Sequence, residues 1–206
     1  MKLEEADIIR LHEGLLKYDN ISPGYRNKGD IGSLVDKLDE KLFGQIMYNE
    51  PFKKGAVLFE GLIRLHPFID GNKRTALLSL QQYLINQNII FVIPLSAVRF
   101  CIRVAQNHDI SQDGIDKVVE SIEKWVRSRS KDVNDLAGIS GIIKSDVHFL
   151  EKVNKISQTS GDKKLTEKVI NFFLAFDMYP FNEIGFKDVL VCMQHRYRDI
   201  LDYLKK

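Results

Sequence analysis

Positions 66 to 75 read HPFIDGNKRT, and no other stretch of the chain crowds so many reactive groups together. His66 stands at one end, and its imidazole, with an unperturbed pKa of about 6.5, suits a general base at neutral pH. Asp70, Gly71, Asn72, Lys73 and Arg74 follow within eight residues. A helix that starts at about Asn72 has first-turn N–H groups with no intrahelical partner. They point toward the loop, where the helix dipole adds about half a positive charge. That is an anion site suited to phosphate. Lys73 and Arg74 add full charges on the same turn, and Arg74 offers a planar fork to two oxygens. Gly71 allows a turn closed to residues with a Cβ. Asp70 beside bound phosphate is repelled unless a cation lies between them, and Mg²⁺ is the usual one. Phe68, apolar in a polar loop, reads as a plug into the core. Asn72 either bonds back across the loop or touches a phosphate. The loop is not a P-loop, because GxxxxGK[ST] is missing. A solvated turn between two helices is the other reading of the same residues.

The elements around the loop are mostly helical by periodicity. Ile8, Leu11, Leu15 and Leu16 recur at helical spacing, with a start near Glu4. YDNISPGYRNKGD is loop chemistry, and a short helix follows from Gly32 to about Leu42. Residues 43–51, FGQIMYNEP, suit a small extended flap. From Pro51 a long apolar helix runs through PFKKGAVLFEGLIRLH, with Ala56, Phe59, Leu62, Ile63 and Leu65 as core candidates. Gly55 and Gly61 lower its propensity, so close helix packing must compensate. It must end near His66, because the residue before Pro67 is pushed out of the α region. The next helix buries Ala76, Leu77, Leu80 and Leu84. IIFVIP is a short extended run, Leu95 to Gln106 a helix, and Ser111 to Arg129 another, with Ile115, Val118, Val119, Ile122 and Val126 on one face. Trp125 in that helix is expected to pack between the two segments into which the chain divides, 1–130 and 131–206. The polar stretch SRSKDVNDLAG, residues 128–138, marks the candidate boundary between a domain at 1–130 and an extension at 131–206. Helices are expected beyond it at about 141–156, 163–175, 184–193 and 195–205, with an aromatic turn at FDMYPF. The fold class is therefore all-α: a helical bundle with at most a small β-hairpin flap, plus a C-terminal helical extension.

Composition narrows the function classes. The chain has 206 residues, 44% hydrophobic and 28% charged, with a formal net charge of +2. That balance argues against direct nucleic-acid binding and against a membrane surface. No apolar run approaches the ~20 residues that span a bilayer, and the N-terminus lacks a signal-peptide pattern. Cys101 and Cys192 lie far apart in apolar runs and read as buried small hydrophobes, which fits a reducing cytoplasm. His12, His108, His148 and His195 are scattered, with no metal-ligand spacing, and read as surface or half-buried residues. Arg196, Arg198, Lys205 and Lys206 read as a solvated face.

The order of residues in HPFIDGNKRT resembles the active-site loop of the Fic/Doc superfamily, HxFx[DE][AG]N[GK]R. His66, Phe68, Asp70, Gly71, Asn72, Lys73 and Arg74 meet every fixed position. SPGYRNKGDIGSLVDK resembles the segment after the first helix of Doc (death-on-curing) proteins. The likeness covers roughly residues 3–128; residues 131–206 resemble nothing we identify. The resemblance implies that the loop binds the phosphates of ATP with Mg²⁺. His66 is then the base that deprotonates a target hydroxyl and Asp70 the Mg²⁺ ligand. Gly71, Asn72, Lys73 and Arg74 become the phosphate-binding residues and Phe68 the structural plug. It also implies a flap that lays the target out as an added strand, here Gln45, Ile46, Met47 and Tyr48, and it brings Arg26 or Lys28 near the nucleotide.

Two reactions occur in such proteins: transfer of AMP to Ser, Thr or Tyr, or transfer of the γ-phosphoryl group. Lys73, and Leu77 where AMP-transferring members carry a second arginine, favour the Doc-like phosphoryl transfer; Gly71 leans the other way. Candidate partners are a target protein with an accessible hydroxyl, among them a translation factor, an antitoxin inhibitor, and a second copy of the chain. The self-inhibitory motif [ST]xxxE[GN] is missing, because Ile9 and Ala56 stand four residues before Glu13-Gly14 and Glu60-Gly61. A non-catalytic binding module of the same fold is the competing function. An antitoxin-like or dimerising cap is a third reading, for the C-terminal segment.

Overall fold

One helix, α3 (Pro51–Leu65), is buried without interruption from Gly55 to Ile63 and forms the axis of the fold. A helix buried on every side over this run must be enclosed by others. The computed structural model describes residues 2–18, 21–42, 44–94 and 97–159. Around α3 pack α4 (Asn72–Asn86), α6 (Gln112–Ser128), α2 (Gly29–Leu38) and α5 (Ala97–Ala105), while α1 (Glu5–Tyr18) lies across α4 and α2. Leu3, Ile8, Ile31, Leu34, Phe59, Leu62, Leu80, Leu84 and Ile122 meet in one contiguous core.

The glycines of α3 are the reason its neighbours come so close. A Cβ on Gly55 would stand 2.8 Å from Leu80 Cδ1 and 3.4 Å from Tyr83 Cδ1, both on α4. One on Gly61 would stand 2.8 Å from Leu34 Cδ2 on α2. The helical propensity lost at these positions is returned as side-chain packing.

Small β elements complete the chain. Strands β1 (Lys41–Leu42) and β2 (Gln45–Ile46) pair antiparallel just before α3. The helix expected to run from Gly32 to about Leu42 therefore starts at Gly29, stops at Leu38 and gives way to β1. A second antiparallel pair joins β3 (Ile89–Phe91) to β4 (Ser130–Asp132) in the register Ile89↔Asp132, Ile90↔Lys131, Phe91↔Ser130. The fold is all-α with two such pairs among the described residues, one more than the single hairpin expected. β4 lies inside the polar stretch read as a boundary, and the 130/131 division falls within this strand. Its polar sequence hid it: only Ser130 is buried, with its hydroxyl donating to Val126 O at 2.8 Å.

Helix α7 (Leu136–Thr159) starts five residues before the expected 141. Arg129 ties it to the strands. Its guanidinium grips Asp146 through both Nη atoms, one at 3.0 Å, and Nε donates to Val92 O at 3.3 Å. Among the described residues the ring contacts of Trp125 lie within residues 1–130. Trp125 stacks on Phe100, with centroids 4.2 Å apart, and meets Phe91 edge-on at 5.1 Å and Phe59 at 6.0 Å. Such rings pack best with one another, and the helix face of α6 points inward. Cys101 is buried, as expected of a small hydrophobe. The helices expected at 163–175, 184–193 and 195–205, FDMYPF, Cys192, His195 and the C-terminal cations lie outside the described residues. Among the described residues no helix is long and apolar enough to cross a membrane.

The packing predicts opposite outcomes for two glycine-to-alanine changes. A Cβ added at Gly14 in α1 would meet nothing within 4 Å, so Gly14→Ala should stabilise by about 0.5–1 kcal/mol. Gly61→Ala overpacks against Leu34 and should destabilise by about 1–3 kcal/mol. Urea midpoints of the two variants should move in opposite directions.

Candidate active site

The loop between α3 and α4 begins where α3 fails. His66 follows Leu65 in the left-handed conformation, φ 52 and ψ 53. A non-glycine residue there is held against a cost of about 1 kcal/mol, so the surroundings must fix it. Pro67 then prevents the helix from resuming. At the other end Gly71, φ 76, is the N-cap of α4, and no side chain caps that terminus. Gly71 also fits closely: a Cβ would lie 2.8 Å from Ile21 Cδ1 and 3.4 Å from His12 Cε1.

Between these ends Phe68 and Asn72 lock the loop. Asn72 is buried, and its side-chain amide bonds both ways with the backbone of residue 68. Phe68 N–H donates to Asn72 Oδ1 at 2.9 Å, and Asn72 Nδ2 donates to Phe68 O at 2.8 Å. Of the two roles open to Asn72 in the sequence, the side chain takes the first, bonding across the loop. The Phe68 ring is fully buried and stacks on His12, with centroids 3.7 Å apart and an interplanar angle of 14°.

His12 is the residue that sequence reasoning missed. It reads as a surface or half-buried residue, yet it is 2% exposed. Its Nδ1 lies 3.0 Å from Thr75 Oγ1, which joins α1 to the first turn of α4 directly beneath Gly71. Burial pushes its pKa down, with Asp70 opposing and Arg74 adding to the shift. The signal was faint: one polar position on the apolar face of α1, 63 residues from its partner.

A third segment braces the loop from outside. Arg26 N–H and Asn27 N–H both donate to Pro67 O, at 2.7 and 3.2 Å, and Ile69 N–H donates to Gly24 O at 3.0 Å. Tyr25 and Phe68 thereby form an antiparallel bridge. The stretch read as loop chemistry is thus a loop that makes a single bridge along the candidate site.

The reactive groups are held on this frame. His66 is half-buried, and its pKa is lowered by burial first, then by Lys73 and by Arg26. At neutral pH its ring is uncharged and able to accept a proton. Asp70 accepts from Gly71 N–H at 2.6 Å, and its side chain remains 44% exposed. Arg74 Nη2 stands 3.9 Å from Asp70 Oδ1. Lys73 projects from the first turn of α4, half-buried. The uncapped helix terminus with two cations fits a phosphate, and one exposed carboxylate beside it fits a hard cation that shares phosphate oxygens. No group of three or more His, Cys, Asp or Glu able to hold a metal alone occurs among the described residues. In the flap residues, Met47 N–H donates to Glu40 O at 3.0 Å, while Tyr48 is half-buried against the core.

Residues 2–84 match the Fic/DOC family model, and the match takes in the loop and its brace. Over this segment the chain is similar to the Fic/DOC family. No curated protein and no solved structure matches the chain. This similarity supports a Fic-type protein-modifying enzyme in general terms, of a kind that typically uses a nucleotide and a metal.

Two substitutions test the frame of the loop. Asn72→Ala leaves the buried N–H and C=O of Phe68 unpaired and should cost about 2 kcal/mol or more, since each orphaned group costs about 1–3 kcal/mol. At position 66, glycine accepts the left-handed backbone and alanine does not. His66→Gly should therefore be the more stable of the two variants by about 1 kcal/mol. Equal stability would mean that the backbone at 66 relaxes out of this conformation.

Proposed function

We propose that the chain is a nucleotide-dependent transferase that modifies a Ser, Thr or Tyr hydroxyl of a target protein, with phosphoryl transfer from ATP favoured over AMP transfer. The observation that carries this reading is the juxtaposition of an uncharged, half-buried His66 with the cationic, uncapped start of α4 inside a Fic/DOC segment. In the proposed reaction His66 accepts the proton of the target hydroxyl as its oxygen bonds to phosphorus. For phosphoryl transfer the γ-phosphorus is attacked, its bond to the β–γ bridging oxygen breaks, and ADP leaves with that electron pair. For AMP transfer the α-phosphorus is attacked and pyrophosphate leaves. The α4 N–H groups, Lys73 and Arg74 stabilise the charge that shifts onto the leaving oxygens, which is where most of the acceleration arises in such reactions. Mg²⁺, held by Asp70 when bound, neutralises phosphate charge at the same place.

Lys73 supports the phosphoryl reading because a cation directly on the first turn of α4 engages a phosphate that would otherwise be free to rotate. The short β2 strand offers an edge along which a target segment can add. A translation factor is one candidate target, and an antitoxin or a second copy of the chain are candidate regulators. A cytoplasmic site of action agrees with all of these.

The test uses the full chain with lysate, Mg²⁺ and ATP labelled at the α or the γ phosphate. Label from the γ position alone is expected. Label from the α position would establish AMP transfer instead, and no difference between wild type and His66→Ala would sink the role of His66. Absence of any label points to a binding module that uses this fold without chemistry.

The titration of His66 gives an independent check. Burial and the two cations disfavour its charged form, so its NMR titration midpoint should fall below the ordinary value of about 6.5. Replacing Lys73 with alanine removes one of those cations, and the midpoint should rise.

A further inference from the structure

The buried ring of His12 has no part in the proposed chemistry, yet it meets the candidate site at its middle, at the N-cap of α4 and one turn further on. It comes from α1, which supplies none of the reactive groups of the loop. Its face lies flat on Phe68. Its Cε1 lies 3.4 Å from where a Cβ on Gly71 would stand, a point that Ile21 Cδ1 also crowds at 2.8 Å. Its Nδ1 pairs with Thr75 Oγ1 at 3.0 Å. Thr75 N–H in turn donates to Gly71 O at 2.9 Å, the bond that opens α4. The imidazole thus spans the ends of the one turn whose free N–H groups form the anion site.

Burial alone does not call for a histidine at this position. A leucine or phenylalanine fills such space without stranding a nitrogen, and His12 Nε2 is buried with no hydrogen-bond partner among the described residues. Rules of local stability are broken most often where function sets the residue. What the imidazole adds is a rigid link between a flat face and a polar edge, so that Phe68 and Thr75 are held in one geometry. Lys73 lies between them, on the turn that the ring supports. If that turn tips, its N–H groups and the Lys73 stem tip with it. Phosphate binding must then rebuild the turn, and the apparent affinity falls by the fraction of molecules in which it is already built.

We propose that His12 is a positioning residue of the candidate site, which through Thr75 holds the first turn of α4 in the orientation that receives the nucleotide phosphates. This deepens the transferase reading above and rests on it. It also gives α1 a task at the site: the helix carries no reactive group there but sets where the cradle stands.

Calorimetric titration of the full chain with Mg-ATP separates positioning from mere support of the fold. Loss of folded molecules lowers the stoichiometry, whereas a tipped turn weakens the Kd of every site. His12→Phe keeps a flat apolar ring and Thr75→Val keeps the shape of the side chain; each removes the bond between the two residues. Each should bind Mg-ATP about fivefold more weakly at wild-type stoichiometry, the scale set by one hydrogen bond. Because both break the same link, the double variant should lose no more than the weaker-binding single variant. Thr75→Ser keeps the hydroxyl and should recover most of the affinity. Where His12→Phe fails to fold, Thr75→Val alone decides. Wild-type affinity in a folded single variant, or a loss seen only in stoichiometry or thermal midpoint, makes His12 a core residue; it overturns the proposal and leaves the transferase reading intact. Losses that multiply in the double variant overturn it as well, since the two residues then act separately. Failure of wild type itself to bind Mg-ATP overturns the transferase reading and the proposal with it, so the two failures are told apart.

Discussion

Everything in the candidate site depends on how residue 68 is held. The Asn72 amide satisfies both backbone groups of Phe68, and the Phe68 ring is pressed flat on His12. A buried peptide group needs partners, and a loop offers none of the ladders that a helix or sheet provides. Here one side chain does what a ladder would do. With residue 68 fixed, Pro67 O faces outward to receive the Arg26 and Asn27 N–H groups, and His66 is left in a left-handed conformation it would not choose alone. The reactive ends of the loop are therefore consequences of its apolar middle. This is also why Asn72, though it begins α4, has its amide oxygen and one amide N–H committed to the loop.

The electrostatics follow from the same arrangement. Burial, more than any neighbouring charge, keeps both histidines of the region uncharged. They differ in what that neutrality serves. His66 is half-buried at the open end, where an uncharged ring can take a proton. His12 is enclosed, with Nε2 lacking a hydrogen-bond partner among the described residues. An orphaned buried nitrogen is unfavourable by about 1–3 kcal/mol, so an aliphatic residue would serve the core better. What an aliphatic residue lacks is a flat face for Phe68 together with an Nδ1 for Thr75, and these two contacts join α1 to the loop and to α4 at once.

The parts legible in the sequence were those governed by local rules. Pro51 opens α3, Pro67 closes it, Gly71 caps α4 and Ser111 caps α6, with its hydroxyl accepting from Gly114 N–H at 3.1 Å. Gly55 and Gly61 announced close packing without saying against what; α4 and α2 are the answers. What escaped was set by distant partners. β4 has no strand-like pattern, because Lys131 and Asp132 are exposed and only its pairing with β3 makes it extended. Trp125 could be seen to point inward, but not that Phe91 and Phe100 would meet it. The brace was invisible because its hydrogen bonds are entirely backbone and carry no side-chain signature.

The distribution of charge around His66 bears on the choice between the two phosphorus atoms. In-line attack requires the chosen phosphorus to lie between the hydroxyl and its leaving oxygen. A nucleotide held only at the α4 terminus has one fixed point and can present either atom by sliding. Lys73 adds a second point on the same element, and Leu77, half-buried one turn further along, adds none. Orientation then needs an anchor on a different element, which a single helix turn cannot offer. Two anchors on separate segments fix a direction along the phosphate chain, and direction decides which bond breaks.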